Sequence, residues 1–168
     1  MHVRIRLLIA ALVTLTAAAC DRGQPGAPDA LVGAWRGDVQ FASGALAAIG
    51  DLEFMYVFNV GGTMTESSNY DGAPPVPPAY GVWRRLEPSR FEATYLYYWT
   101  VPPASVDEIT KGNGWTPGGH GVLSQEITLS PDGDSFESTI RLQLFDKSGS
   151  LVEPESVATA RASRIGIR

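Results

Sequence analysis

Four groups of side chains in this 168-residue chain could do chemistry: a lone thiol, a histidine among glycines, a pair of aspartates and an aromatic-rich strand. Cys20 is the only cysteine, so no intrachain disulfide can form. His120, in "PGGHG", is the only histidine besides His2. With no second Cys and no HxH or HExxH spacing there is no recognisable zinc site, and no metal or cofactor is implied. His120 could serve as a general base, or be an ordinary loop residue. Asp132 and Asp134 in "SPDGDS" lack EF-hand spacing, and a turn accounts for them. No GxSxG elbow is present. "VGGT" reads as a hairpin turn, not a phosphate cradle. Tyr95, Tyr97 and Trp99 alternate with Leu96 and Tyr98 in "RFEATYLYYWT", which suits either a barrel wall beside a pocket or a packed core. Arg84, Glu92 and Arg141 lie inside strands. An inward Arg84 or Arg141 would require a carboxylate ligand or a buried partner such as Glu66; outward, both are solvated charges.

The thiol marks a boundary. Residues 1–6, "MHVRIR", carry two arginines and no acid, and residues 7–19, "LLIAALVTLTAAA", carry no charge. A basic start, a short apolar run and small residues at its end make a secretory signal peptide. The run is shorter than the ~20 residues that span a bilayer as a helix. Ala17-Ala18-Ala19-Cys20 resembles the lipobox of bacterial lipoproteins, a pattern that prefers Leu where Ala17 stands. The resemblance implies a lipidated Cys20 (palmitate and further acyl chains) as the new N-terminus, with the protein held on the extracytoplasmic side of the cell membrane, at the periplasmic face or the cell surface. Several acyl chains give stable anchoring where one does not. The alternative is an ordinary signal peptide and an unmodified Cys. Asp21 is the residue that, in some Gram-negative lineages, keeps lipoproteins on the inner membrane.

The expected organisation is therefore a signal peptide at 1–19, the lipidated Cys and a polar Pro/Gly-bearing tether at 20–30, and one domain at 31–168. After residue 19 the chain carries eleven basic and eighteen acidic residues, a net of −7, which argues against nucleic acid as a partner.

From residue 31 onward apolar residues alternate at period two, and no convincing helix appears. Eight strands are predicted: "GAWRGDVQF", "DLEFMYVFNV", "TMTESSN", "YGVWRRL", "RFEATYLYYWT", "GVLSQEITLS", "SFESTIRLQLF" and "SVATARASRI". Trp35, Val39 and Phe41 share one face of the first; Leu52, Phe54, Tyr56, Phe58 and Val60 share one face of the second. Gly61-Gly62 and "PDGD" supply turns. "ASGALAAIG" is a loop or one helical turn, and Pro154 should interrupt any strand starting at Leu151. Two long connections, 69–81 and 101–121, could form a lid or partner face around Tyr80 and Trp115. Eight hairpin-linked strands leave unpaired edges unless they close. The expected fold is all-β, an antiparallel up-and-down eight-stranded barrel, with an open sandwich as the alternative.

"GAWR" at 33–36 recurs as "GVWR" at 81–84. Gly33-x-Trp35 at the start of the first strand is similar to the first-strand motif of lipocalins and other calycins. That likeness implies that Trp35 closes one barrel end and that an arginine near the last strand, Arg161 or Arg164, packs on its indole. No second lipocalin motif and no clear C-terminal helix accompany it. "GAWRG", "GTMTES", "GVWRRLEPSRFEAT", "ITLSPDGDSFESTIRLQLFDKSGSLV" and "ASRI" together resemble a family of small uncharacterised bacterial lipocalin-like barrel proteins, which has no activity to carry over.

Three functions remain open at this point. The first is a lipid-anchored barrel binding a small apolar or amphipathic ligand, with Tyr80, Trp83, Arg84, Tyr95, Tyr97, Trp99, Trp115 and His120 as pocket candidates. The second is a non-catalytic envelope module with a filled core that binds another protein. The third, an isomerase- or cyclase-like enzyme using a Glu or His120, requires a perturbed buried polar pair in an open lumen.

Overall fold

The computed structural model describes residues 29–71, 76–111 and 114–167. Its eight strands are β1 (Gly33–Phe41), β2 (Glu53–Phe58), β3 (Thr63–Ser68), β4 (Ala79–Glu87), β5 (Arg90–Val101), β6 (Thr116–Leu129), β7 (Ser135–Asp146) and β8 (Ser156–Arg164). Each strand pairs antiparallel with the next, and β8 returns to β1, so the sheet closes into a barrel without a free edge. The period-two pattern sets which face looks inward. Trp35, Val39 and Phe41 of β1, Phe54, Tyr56 and Phe58 of β2, and Phe136, Ile140 and Leu142 of β7 are all buried. Val60, expected to continue the inner face of β2, lies in the turn after it and is exposed.

The turns follow their residues. Gly61 and Gly62 both take positive φ, 92° and 86°, which a residue with a Cβ would resist. In the 130–134 turn the Asp132 carboxylate accepts from Ser130 Oγ at 2.5 Å and from the Asp134 amide at 3.1 Å. The turn thus accounts for these aspartates. Residues 45–48 form one 3₁₀ turn, and Val106–Thr110 forms a five-residue helix, α1, inside a stretch expected to have no helix. Strand β6 starts at Thr116, five residues earlier than expected. Pro117 is accommodated there because the β5 register shifts between Trp99 and Thr100, and a bulge needs no ladder hydrogen bond from proline. Pro154 precedes β8, and Leu151 makes only an isolated bridge to Phe145.

The meander sorts its connections by end. The β2–β3, β4–β5 and β6–β7 turns lie at one end with both chain entry and exit. The four longer connections lie at the other end, so the two long loops singled out from sequence do share a rim.

The end with the tight turns is closed. Trp35 is fully buried and its indole N–H donates to the Leu31 carbonyl at 2.9 Å. The Arg164 guanidinium lies over the Trp35 ring, 4.1 Å from its centroid. Arg164 also donates to the carbonyls of Val32 (2.9 Å), Gly133 (2.8 Å) and Ala30, binding chain entry, last strand and one turn together. Gly33 is required beneath this guanidinium: a Cβ there would sit 2.7 Å from Arg164 Nη1. Arg161, the other arginine offered for this role, instead faces outward and pairs with Glu137 at 3.1 Å. Residues 161 and 164 stand on opposite faces of β8, so only one of them can reach the indole. Trp83 repeats the arrangement in part. It is buried in the same aromatic layer, 6.0 Å from Phe58 and 5.9 Å from Phe91, and donates to the carbonyls of Asn59 and Thr63. The arginine that follows each tryptophan points outward, Arg36 to Glu53 and Arg84 to Glu92. The repeated GxWR is thus a device of barrel architecture.

Candidate functional site

Above the aromatic layer the inward side chains become polar. Tyr56 on β2 lies opposite Glu66 on β3, and Glu66 lies opposite Ala79 on β4. Tyr95 on β5 meets the Tyr56 ring edge-on at 6.5 Å. Gln125 on β6 donates to Ser138 Oγ on β7 at 2.8 Å. All five polar side chains are buried, Glu66 with 6% exposure. Tyr56 Oη, Tyr95 Oη, Gln125 Oε1 and Glu66 Oε1 have no hydrogen-bond partner of acceptable geometry among the described residues, although the Tyr56 hydroxyl lies beside Gln125 and Tyr95. Unpaired buried polar atoms cost ~1–3 kcal/mol each, so four of them at one level of a barrel need an explanation.

Just above them the barrel is not filled. A cavity of about 230 Å³ opens toward the long loops, with Glu66 in its lining. Its walls are Phe41, Phe54, Leu52, Leu123, Leu142, Tyr97 and Trp99; Leu46 from the 3₁₀ turn, Ser68, Tyr70, Asp71, Val76, Pro77 and Ala79 complete it. Two aromatics from β5 reach the cup because β6 offers glycines behind them. A Cβ at Gly121 would strike the Tyr97 ring, and one at Gly118 the Trp99 ring. The rim is tied by hydrogen bonds: Tyr70 Oη donates to Asp51 Oδ1 at 2.6 Å, Asn69 Nδ2 to the Asp51 carbonyl at 2.7 Å, and the Ser68 amide to Asp71 Oδ2 at 2.7 Å. A larger hollow, of about 890 Å³, is an open saddle on the outer face of β1, β8, β7 and β6, lined largely by solvated residues such as Asp38, Glu126, Glu137 and Arg161. It encloses no unpaired buried group, so the smaller cup is the better site.

Burial, with the Asp71 charge adding, pushes the Glu66 carboxyl up to about 8. Glu66 is therefore largely protonated at neutral pH and presents a hydroxyl as well as an acceptor. Burial also lifts the Tyr56 and Tyr95 phenols well above their ordinary value, with Tyr97 raised for the same reason, so all three remain neutral donors. Among the described residues no group of three His, Cys, Asp or Glu side chains is placed to hold a metal ion.

Of the residues proposed from sequence, Tyr97 and Trp99 line the cup and Tyr95 lies at the polar level of the same interior. Trp83 faces inward at the closed end, in the aromatic layer. Three candidates lie outside the lumen because the even-numbered positions of β4, and of β6 from His120 onward, face outward. Tyr80 is 62% exposed, Arg84 pairs with Glu92 in solvent, and His120 stacks on outward Phe145 at 5.1 Å. His120 therefore cannot act on anything in the cup. Arg141 also faces outward, pairing with Glu155 at 3.2 Å, so neither Arg84 nor Arg141 meets Glu66. Trp115 is 39% exposed and does not line the cavity. Cys20 lies outside the described residues. Glu66, named from sequence only as a partner for an inward arginine, is itself the polar base of the cup: it is two positions from inward Met64 in "TMTES", which places an acid on a buried face.

No protein-family model and no curated protein matches this chain. Among solved structures it is similar to EF1p2_mFAP2b bound to DFHBI, with 15% identity, a TM-score of 0.49, and 81% of this chain and 94% of that chain covered.

Proposed function

We propose that this protein is a lipid-anchored, extracytoplasmic barrel that binds a small apolar or amphipathic ligand in the cup at its loop-bearing end. The observation that carries the ligand is the unfilled 230 Å³ cup itself, apolar in its walls and lined at its base by Glu66, whose Oε1 is buried and unpaired. Drug-sized ligands occupy roughly 300–1,000 Å³, so this ligand is smaller: one or two rings, or a short chain. A module with a filled core binding an envelope protein is the weaker reading, because the core is filled at one end only. A second reading rests on one observation. A protonated Glu66 within the field of Tyr56 and Tyr95, in an open cup, has the features of an acid–base catalyst of isomerisation.

Calorimetric titration with 2-naphthol, an uncharged two-ring probe at neutral pH, tests the cup. Binding to the wild type and its loss in Ala79→Phe, which fills the cavity opposite Glu66, is the expected result; Val76→Trp at the rim gives the same readout should the first variant fold poorly. Equal binding in wild type and a folded cavity-filling variant would place the probe elsewhere and remove the proposal. Ligand recovered chemically altered after incubation would move the assignment to the second reading.

The anchor is tested separately. Cells expressing the full chain and fed a fatty-acid probe should label it at Cys20 and hold it in the membrane fraction. Cys20→Ser should release it unlabelled; undiminished labelling and membrane retention of that variant would end the lipoprotein assignment.

A further inference from the structure

The ionisable groups at the cup favour one sign. Glu66 and Asp71, both acidic, line it, and no Lys or Arg does. Asp51 and Glu153 stand at the same rim, the first bonded to Tyr70, the second close enough to act on Tyr97. Among the described residues the cations toward this end are paired or stand on the turns: Arg141 holds Glu155, Lys111 holds Glu108, and Lys147 lies in the β7–β8 connection. We propose that the cup selects a small hydrophobic amine, bound as its cation with the ammonium group against Glu66 and its apolar body between Tyr97, Trp99 and Phe54. The proposal rests on the reading of the cup as a ligand site and names the class of ligand.

Glu66 Oε1 is buried without a partner, and an ammonium group supplies both the missing hydrogen bond and the opposite charge in a site shielded from water. Charge-assisted bonds of this kind are about twice as strong as neutral ones. The aromatic walls favour a cation through their ring faces. A carboxylate ligand would meet Glu66 and Asp71 with no lining cation to offset them. An alcohol could bond to the protonated carboxyl but would gain nothing from Asp71. The acidic chain also concentrates cations around its surface.

The groups facing Glu66 are Tyr56 from β2, Tyr95 and Tyr97 from β5, and Asp71 from the β3–β4 loop; β4 contributes Ala79, and nearby Gln125 of β6 does not titrate. The phenols stay neutral, and the proton displaced on binding is that of Glu66. On binding, the O–H bond of Glu66 breaks, its proton leaves to solvent, and the carboxylate pairs with the ammonium.

Calorimetry with 2-phenylethylamine, 2-phenylethanol and phenylacetate, which share a ring and differ in the polar head, tests this. Above the Glu66 transition the amine should bind about tenfold or more tighter than the alcohol, and phenylacetate weakest. Below about pH 8 the amine's affinity should fall by about tenfold per pH unit, with up to one proton released per amine bound. In Glu66→Gln the amine should drop to the level of the alcohol and lose its pH slope. An alcohol or phenylacetate binding as tightly as the amine, or an amine indifferent to Glu66→Gln, would overturn the amine assignment while leaving the cup a ligand site, as long as 2-naphthol still enters it. If neither the series nor 2-naphthol binds, the cup reading fails and this one with it.

Discussion

Glu66→Gln should stabilise the barrel at alkaline pH by several kcal/mol and flatten its stability between about pH 4.5 and about pH 8. The folded carboxyl titrates at about 8, against 4.5 for the free side chain. Between those values the unfolded chain has released a proton that the folded chain still holds, so stability falls as pH rises through this window and levels above it. The interval corresponds to roughly 4–5 kcal/mol, a large part of the ~5–15 kcal/mol that holds a domain folded. The turn aspartates and the buried tyrosines act outside the window. Asp132 and Asp146 are held low by turn hydrogen bonds, so their contribution is lost only as pH falls below the ordinary carboxylate range. The buried tyrosines are raised above the ordinary phenol value, so their effect appears only at still higher pH. Gln keeps the size of Glu and carries no proton to lose. Denaturant unfolding of both proteins across about pH 5 to pH 9 measures the effect. Parallel curves for wild type and variant would show that Glu66 is not buried in the folded protein, and the lining of the cup would have to be reassigned.

Trp35→Ala should cost the barrel roughly 3–5 kcal/mol, while Trp115→Ala should cost under about 1 kcal/mol. Trp35 is fully buried, 5.1 Å from the Phe136 ring, bonded to Leu31 and covered by Arg164. Its removal opens a cavity at the barrel's closed end and takes away the surface on which the Arg164 guanidinium lies. Trp115 is 39% exposed ahead of β6 and has little burial to lose. Chemical denaturation midpoints of the two variants decide the matter. A larger loss from Trp115→Ala would mean that the 102–115 connection packs into the core, and the open end would not be open.

These two tryptophans show how far sequence reasoning reached. Gly33-x-Trp35 pointed to the barrel's end through its likeness to the lipocalin first-strand motif, and Trp35 is buried there under Arg164. The faces of β1, β2 and β5 were readable as well. Tyr95, Tyr97 and Trp99 fell on one side of β5 and Leu96 and Tyr98 on the other, as alternation requires. Period two also explains the errors. Tyr80, Arg84 and His120 were placed near a pocket by residue type, yet Trp83, Leu123 and Gln125 occupy the inward positions of their strands. Arg161 and Arg164 were equivalent in sequence, but three residues along a strand reverse the face.

The sequence by itself determined that the chain from residue 31 onward is a set of short, two-faced strands with glycine turns and a net negative charge, while the likeness to lipocalins pointed to Trp35 as the seal of the first strand. Alternation and turn chemistry are local, and local interactions can be read along one strand. Only the tertiary structure decided that the sheet closes, that one end is filled by Trp35, Phe58, Trp83, Phe91 and Phe136, and that the other holds an unfilled cup. The height at which an inward side chain sits along the barrel depends on the stagger of all eight strands, and filling depends on which side chains share a level. Glu66 is an inward residue of an ordinary strand until closure sets it beside Tyr56 and Ala79, below Asp71 and away from Arg84 and Arg141. Its unpaired oxygen and its proton are consequences of that packing, since desolvation is a property of the assembled interior and not of any one strand.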